Sequence, residues 1–413
     1  MAAHGTRTWV LGGYQSDFAR NLAREGTGIT ELFAETVRGT LDASPVPVGD
    51  IDVIHVGNAF GQLFTGQGQL GGMPATVEPD LWGLPAMRHE AACASGSMAI
   101  LAAMAEIEAG RYDVALVIGA EIERNVPGDL SATYLGAAAH IGHEGQQARF
   151  MWPHMFDRLA EEYDRRYGLD DRHVHAIAEL NTRNGRANPL AQTRSWTFTD
   201  ASFTDDDAAN PSIEGRVRRT DCGQVTDGAA GVMLVSDRYL AAHADIAARP
   251  RAQILGWGHR TVGLSLTQKL QRSGDDLYVL PHVRRTIRDA FDRAKISDVF
   301  DLDAIETHDC FSMTEYAAID HFGITGPGES WKAIENGDLE IGGQIPVNPS
   351  GGLIGGGHPV GATGVRMLLD SYKQVTGQAG DYQVDGARRV ATLNIGGSST
   401  TTASFVVGAE TEN

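Results

Sequence analysis

The sequence predicts an α/β fold built from two repeats, each a mixed sheet flanked by helices. The first observation behind this is a match between the halves. "IDVIHVGNAF" (51–60) and "LDAIETHDCF" (302–311) align without gaps, so that Asp52 meets Asp303, Ile54 meets Ile305 and Phe60 meets Phe311, all offset by 251. The second is pattern, since both segments alternate apolar and polar residues before a polar turn, as a strand does on entering a loop. The third is order. "TWVLGG" pairs with "AQILGW", "DVALVIGAE" with "RRVATLNIGG" and "AAGVMLVSD" with "TASFVVGAE". Strand, helix, strand, Gly-rich turn and helix thus recur in both halves, and such an order layers helices on a mixed sheet.

Taken along the chain, "TWVLGGYQSDFA" reads as an opening strand and turn. The residues before it, "MAAHGTR", lack the basic region and long apolar stretch of a signal peptide. The first repeat is expected over 1–120 and 221–248, and the second over 249–413. Between them, 121–220 has no counterpart in the second half. It holds two helical stretches, "MFDRLAEEYDRRYG" and "DRHVHAIAELNTRNGRAN", and a polar run, "TDASFTDDDAANPS". An excursion of this size from one repeat is most often a substrate-covering or subunit-contacting subdomain.

Composition narrows the function. The chain has 413 residues, 42% hydrophobic and 21% charged, enough for a sizeable core. No apolar run is long enough for a membrane span. A net charge of −19 argues against wrapping nucleic acid or adhering to anionic membrane. Three scattered cysteines, Cys93, Cys222 and Cys310, fit neither a disulfide framework nor a structural metal site. They suit a reducing cytoplasm, where a thiol stays free.

Four stretches could carry chemistry. In "HEAACASGSMAI", Met98, Leu101, Met104 and Ile107 recur at three-residue intervals, so a helix is expected to begin near Cys93. The N–H groups and dipole of a helix N-terminus lower a thiol's pKa from about 8.5 toward neutrality. Read alone, Cys93 fits a small buried hydrophobe as well. In "NPSGGLIGGGHPVGATGVRMLL", a glycine loop delivers His358 to the start of the helix that occupies the same place in the second repeat. Two related helices would then point a thiol and an imidazole into one space, the usual way to make a thiolate. In "THDCF", His308 and Cys310 stand two apart, on one side of an extended strand end. In "LNIGGSSTT", Asn394, Gly396 and Gly397 end another strand, where glycine amides make good oxyanion donors and ordinary turns alike.

Together and in this order, "CASGSMA", "HDCF" and "GGGHPVGATG" resemble the thiolase superfamily, and "HDCF" its sterol-carrier-protein-type branch. The resemblance runs over essentially the whole chain, including "ELNTRNGRANPLAQ" and "DCGQVTDGAAGVML". It implies a five-layered α-β-α-β-α fold with an inserted loop domain. It implies Cys93 as the nucleophile that carries the acyl group and His358 as its activator, with His308 beside it in a first oxyanion hole. The amides of Cys93 and Gly396 would form a second. Ordinary thiolases carry an acid/base cysteine where this chain has Asn394, so that task would fall to Cys310. The resemblance implies coenzyme A as a substrate, with no permanently bound cofactor and no metal.

Arg216, Arg218 and Arg219 form the only compact basic cluster of the insertion, suited to phosphates or simply to solvent. His154 and Met155 match a pair that borders the substrate in some thiolases, and Gly357, in the closely approachable loop before His358, is expected to contact substrate or CoA. Cys222 has no partner motif and reads as a packing residue. The expected activity is CoA-dependent, ping-pong cleavage of a 3-oxoacyl-CoA or its reverse. A carbon–carbon lyase or acyltransferase on a non-CoA substrate competes, as does a non-catalytic acyl-CoA-binding protein. A homodimer or homotetramer is expected, with room for a small OB-fold partner.

Overall fold

Alternation along each strand decides which layer its side chains enter. β1 (Thr8–Gln15) sends Trp9 and Leu11 to one core and Val10 to another. The computed structural model describes residues 6–409, and the start of the N-terminal stretch and Glu410 to Asn413 of "AETEN" lie outside the described residues. β2 (Val53–Gly57), β3 (Ala86–His89) and β4 (Val114–Glu121) follow β1 in the first repeat. The insertion holds a small hairpin, β5 (Ser212–Glu214) with β6 (Val217–Arg218), and β7 (Gly228–Ser236) completes the repeat. The second repeat contributes β8 (Ala252–Thr261), β9 (Ala304–Thr307), β10 (Arg389–Gly396) and β11 (Thr401–Ala409).

The strand order is β3-β2-β4-β7-β1-β8-β11-β10-β9. From the centre outward it reads the same way on both sides. β2 and β4 pair parallel and β4 and β7 antiparallel, just as β9 and β10 pair parallel and β10 and β11 antiparallel. The halves join through β1 and β8, where Trp9 faces Gln253 and Val10 faces Ala252.

The principal helices are α1 (Ile29–Ala43), α2 (Ser95–Glu108), α3 (Gly128–Gly136), α4 (Met151–Tyr167), α5 (Asp171–Gly185), α6 (Leu266–Ser273), α7 (Pro281–Ala294), α8 (Ser312–Phe322) and α9 (Thr363–Val375). α1 covers β1 and β7 from outside, and α7 covers β8 and β11. α2 and α9 pack on each other between the half-sheets, which gives five α-β-α-β-α layers. Phe33 and Val37 of α1 are fully buried, and each such side chain stabilises the fold by roughly 1.5–3 kcal/mol.

α2 departs from the expected stripe. Ala99, Ile100, Ala103, Met104 and Ile107 are buried, while Met98 and Leu101 are only half-buried. The cause is the close approach of α9 and the sheets, which admits small side chains and rotates Met98 toward an open groove.

The insertion belongs to the first repeat by sequence but packs on the second. Phe156 and Leu159 of α4 and Val174 and Ile177 of α5 share a core with Phe291 and Tyr316. Tyr163 donates to Asp320 Oδ2 at 2.8 Å and pins α4 to α8. No described helix is long and apolar enough to cross a membrane.

Candidate active site

A tight turn presents Cys93. Ala92 sits at φ +50°, a left-handed conformation that a side chain makes costly. The Ser95 hydroxyl holds it by accepting from Ala91 N–H at 2.9 Å and donating to the Ala92 carbonyl at 2.6 Å. α2 begins at Ser95, so Cys93 precedes the helix by two residues.

His358 is fixed at two atoms. Its backbone N–H donates to Thr226 Oγ1 at 2.9 Å, and its Nδ1 lies 2.6 Å from Thr363 Oγ1. The Thr363 hydroxyl donates to the Pro359 carbonyl at 3.1 Å, so Nδ1 carries the proton and Nε2 keeps its lone pair. His308 has the opposite arrangement. The Asn394 amide donates to His308 Nδ1 at 3.2 Å, while its Oδ1 accepts from Ser97 of α2 at 2.8 Å. The proton of His308 therefore sits on Nε2. Neither Nε2 has a hydrogen-bond partner among the described residues, although both histidines are buried.

These groups converge. The Cys93 sulfur and one nitrogen of each ring lie within 4.8 Å of one another. The rings meet edge to face, with centroids 5.2 Å apart. That spacing alone would suit a soft metal, but His308 turns an N–H, not a lone pair, toward the shared space. The trio instead offers a nucleophile, a base and a hydrogen-bond donor.

Burial sets the resting charges. Desolvation, then the Glu123 carboxyl, pushes the Cys93 thiol up to about 12, against the N–H groups of Gly397 and of Cys93 itself. The lowering expected from a helix N-terminus is thus overridden, because removal from water penalises the thiolate more than the dipole favours it. Desolvation, then the Arg366 charge, drops His358 to about 3, and burial beside His358 holds His308 well below the usual range. Burial thus favours the neutral forms of the thiol and both imidazoles, so a thiolate here needs a neighbouring proton acceptor.

Cys93 and His358 open into an apolar cavity of about 370 Å³. Cys93, Cys222 and Cys310, all the cysteines of the chain, line it together with Trp152, Phe156 and Phe311. Burial, then the neighbouring Cys93, raises the Cys310 thiol well above its ordinary value. Cys310 thus reaches the cavity while His308 lies beneath it. Cys222, read as packing, is half-buried with its sulfur donating to the Arg218 carbonyl at 3.3 Å.

Other expected residues are placed differently. Of the expected amide pair, that of Cys93 itself meets the sulfur, and its companion is that of Gly397, one residue beyond Gly396. Gly396 is needed for space, since a Cβ there would lie 2.2 Å from the Ala91 carbonyl oxygen. Gly357 is absent from the cavity wall; at φ +108° it packs against Gln192, Thr226 and Phe18. His154 and Met155 are also absent from the wall, because α4 turns Trp152 and Phe156 inward and buries Met155. Arg216 is paired with Asp164 and Asp171, and Arg218 with Asp205 and Asp207. Of the basic cluster only Arg219 reaches the cavity, with one side-chain nitrogen donating to the Ala209 carbonyl.

Several supporting residues were not singled out by the sequence motifs. Asp309, between the two expected residues of "HDCF", accepts from Leu353 and Ile354 N–H at 2.6 and 3.0 Å and so ties that turn to the glycine loop. Asn348 bridges Thr307 N–H and Glu315 at the start of the same loop. Glu123 accepts from Val360 N–H at 2.8 Å, just beyond His358. Each joins segments far apart in sequence, so spacing could not reveal it.

Residues 9–195 match the family described as "Thiolase, N-terminal domain", and residues 265–409 match "Thiolase C-terminal domain-like". An acetyl-CoA acetyltransferase of Methanothermobacter thermautotrophicus is 30% identical over 373 residues, covering 90% of this chain and 92% of that protein. Human sterol carrier protein 2 is 27% identical over 409 residues, covering 94% of this chain and 70% of that protein. Among solved structures, "Ltp2-ChsH2(DUF35) aldolase" has a TM-score of 0.77 at 19% identity, covering 98% of this chain and 99% of that one. The acetyl-CoA acetyltransferase of Syntrophomonas wolfei has a TM-score of 0.69 at 16% identity, covering 98% and 99%. The chain belongs to the thiolase family.

Proposed function

We propose that the protein is a CoA-dependent acyltransferase that cleaves 3-oxoacyl-CoA, or runs the reverse condensation, through an acyl group on Cys93. The convergence of Cys93, His308 and His358, with Cys93 and His358 sharing one apolar cavity with Cys310, carries this reading. In the degradative direction Cys93 attacks the keto carbonyl as His358 Nε2 takes the thiol proton. The carbonyl oxygen gains charge, and the Gly397 amide with that of Cys93 receives it. The bond between the second and third acyl carbons then breaks. Cys310 protonates the acetyl-CoA carbanion, whose thioester oxygen is met by the His308 N–H. Free CoA gives its thiol proton to the Cys310 thiolate and takes the acyl group, while His358 returns its proton to the departing Cys93 sulfur. The similarity to acetyl-CoA acetyltransferases supports CoA as the acyl carrier.

Asn394, in this account, keeps His308 a donor. Asn394→Asp reverses the bond, because a carboxylate accepts from Nδ1–H and leaves Nε2 with a lone pair. Loss of one oxyanion donor lowers kcat by about 10²–10³-fold. That loss is expected in Asn394→Asp, and unchanged turnover of 3-oxoacyl-CoA would count against it.

The apolar wall supports an acyl chain as the group transferred. Trp152 forms part of it, held by its N–H to the Leu135 carbonyl at 3.0 Å. Trp152→Ala should favour longer acyl chains, by roughly fourfold in relative kcat/KM per added methylene accommodated, from about 0.8 kcal/mol each. A panel of 3-oxoacyl-CoAs graded in length measures this, and an unchanged length profile removes Trp152 from the wall's function. The same panel assayed with and without free CoA separates thiolysis from a lyase reaction and from binding without turnover.

A homo-oligomer completes the proposal. β3 is an edge strand of the sheet, with Ala86 and Met87 exposed, and Trp82 before it is 80% exposed. A small partner protein is a further candidate, since one solved structure of the same fold is an Ltp2-ChsH2(DUF35) aldolase.

A further inference from the structure

The turn between β10 and β11 that carries the Gly397 amide is held from outside. Ser399 within it sits at φ +63°, a conformation that persists only where the surroundings impose it. The surroundings are Lys269 of α6 and His282 of α7. Lys269 Nζ donates to Ser398 Oγ at 2.8 Å, to Thr400 Oγ1 at 2.9 Å and to the Leu264 carbonyl at 2.8 Å. Ser398 Oγ spends its own hydrogen on the Leu264 carbonyl at 3.2 Å and so accepts from the ammonium. His282 Nε2 donates to the Ser399 carbonyl at 2.7 Å.

Lys269 is 6% exposed, and none of its three acceptors is a carboxylate. Buried ammonium groups are costly without a paired anion. The nearby Glu144 carboxylate is spent on the start of α6, accepting from Ser265 Oγ and from Leu266 and Thr267 N–H. Burial accordingly pulls the ammonium down to about 7, with Glu144 opposing. The cost is retained, and its three hydrogens serve this turn and the loop beside it.

We propose that Lys269 is a positioning residue that fixes the Gly396–Thr400 turn, keeping the Gly397 N–H aimed at the atoms bonded to Cys93. The inference rests on the acyl-transfer reading for its kinetic consequence, but not for its structural one.

The test is Lys269→Met, which keeps the stem and removes the donors, with Ser398→Ala and the double variant beside it. Hydrogen exchange followed by mass spectrometry should quicken over 394–402 in Lys269→Met and stay unchanged in α2 and α9. Misplacing a catalytic group by about 1 Å costs roughly 10²-fold, so kcat should fall by that order while KM for acyl-CoA and CoA holds. Because both residues act through one turn, the double variant should lose little more than Lys269→Met alone. Ser398→Ala alone, a milder change, should show the same pattern if Lys269→Met fails to fold. Unchanged exchange over 394–402, unchanged kcat, or additive losses would overturn the inference. Wild-type protein inactive on every 3-oxoacyl-CoA would remove the acyl-transfer reading and leave exchange to decide this one.

Discussion

Cys93→Ala is expected to lower kcat for 3-oxoacyl-CoA cleavage by at least about 10⁴-fold, the scale on which removal of a nucleophile acts. No other group can replace it. Cys310 and Cys222 share the cavity, but the sulfur that receives the Gly397 amide is that of Cys93. His358 and His308 are also arranged around Cys93, each with an Nε2 that has no hydrogen-bond partner among the described residues. The substitution removes one sulfur at the cavity floor and should leave folding intact. Equal thermal unfolding of variant and wild type would separate lost chemistry from lost structure.

Cys310→Ala carries the second large effect, and it is selective. General acid–base groups contribute about 10²–10⁴-fold, so carbon–carbon cleavage should fall by that range. Transfer of a simple acyl group from a thioester to Cys93 needs no carbanion to be protonated, so acylation by an unbranched acyl-CoA should persist. A variant that loses both steps equally would place Cys310 in the packing of the site. One that loses neither would move the proton shuttle elsewhere. The distinction matters because Asn394 is committed to His308 and Ser97 by hydrogen bonds and has no proton to exchange at these pH values.

What could be read in advance followed from local pattern and from repetition. Period-two alternation in "IDVIHVGNAF" and "LDAIETHDCF" is a backbone property, so those segments read as related strands, and they are β2 and β9. The glycine loop before His358 is legible because few other arrangements need so many glycines. What could not be read depends on partners distant in sequence. Arg216 and Arg218 look available for phosphate until folding supplies Asp164, Asp171, Asp205 and Asp207. Lys269 lies in "LTQKLQRS", which reads as an ordinary solvated helix until β10 and β11 close over it.

The thiol's acidity illustrates two opposing terms. A helix N-terminus lowers a thiol's pKa, and burial raises it; the sequence shows the first and only the fold shows the second. The one-residue difference between Gly396 and Gly397 has a similar origin. Gly396 has to approach the Ala91 carbonyl, and the left-handed Gly397 then brings its amide round to the sulfur.

The central claim is that an acyl group passes through Cys93. Wild-type protein quenched in acid during turnover of a 3-oxoacyl-CoA, then digested and weighed by mass spectrometry, tests it most directly. The acyl mass is expected on the peptide that contains Cys93, with its loss on adding free CoA and its absence in Cys93→Ala. Turnover without that adduct, under conditions where a synthetic acyl-Cys93 standard survives, would contradict it, as would a fully active Cys93→Ala.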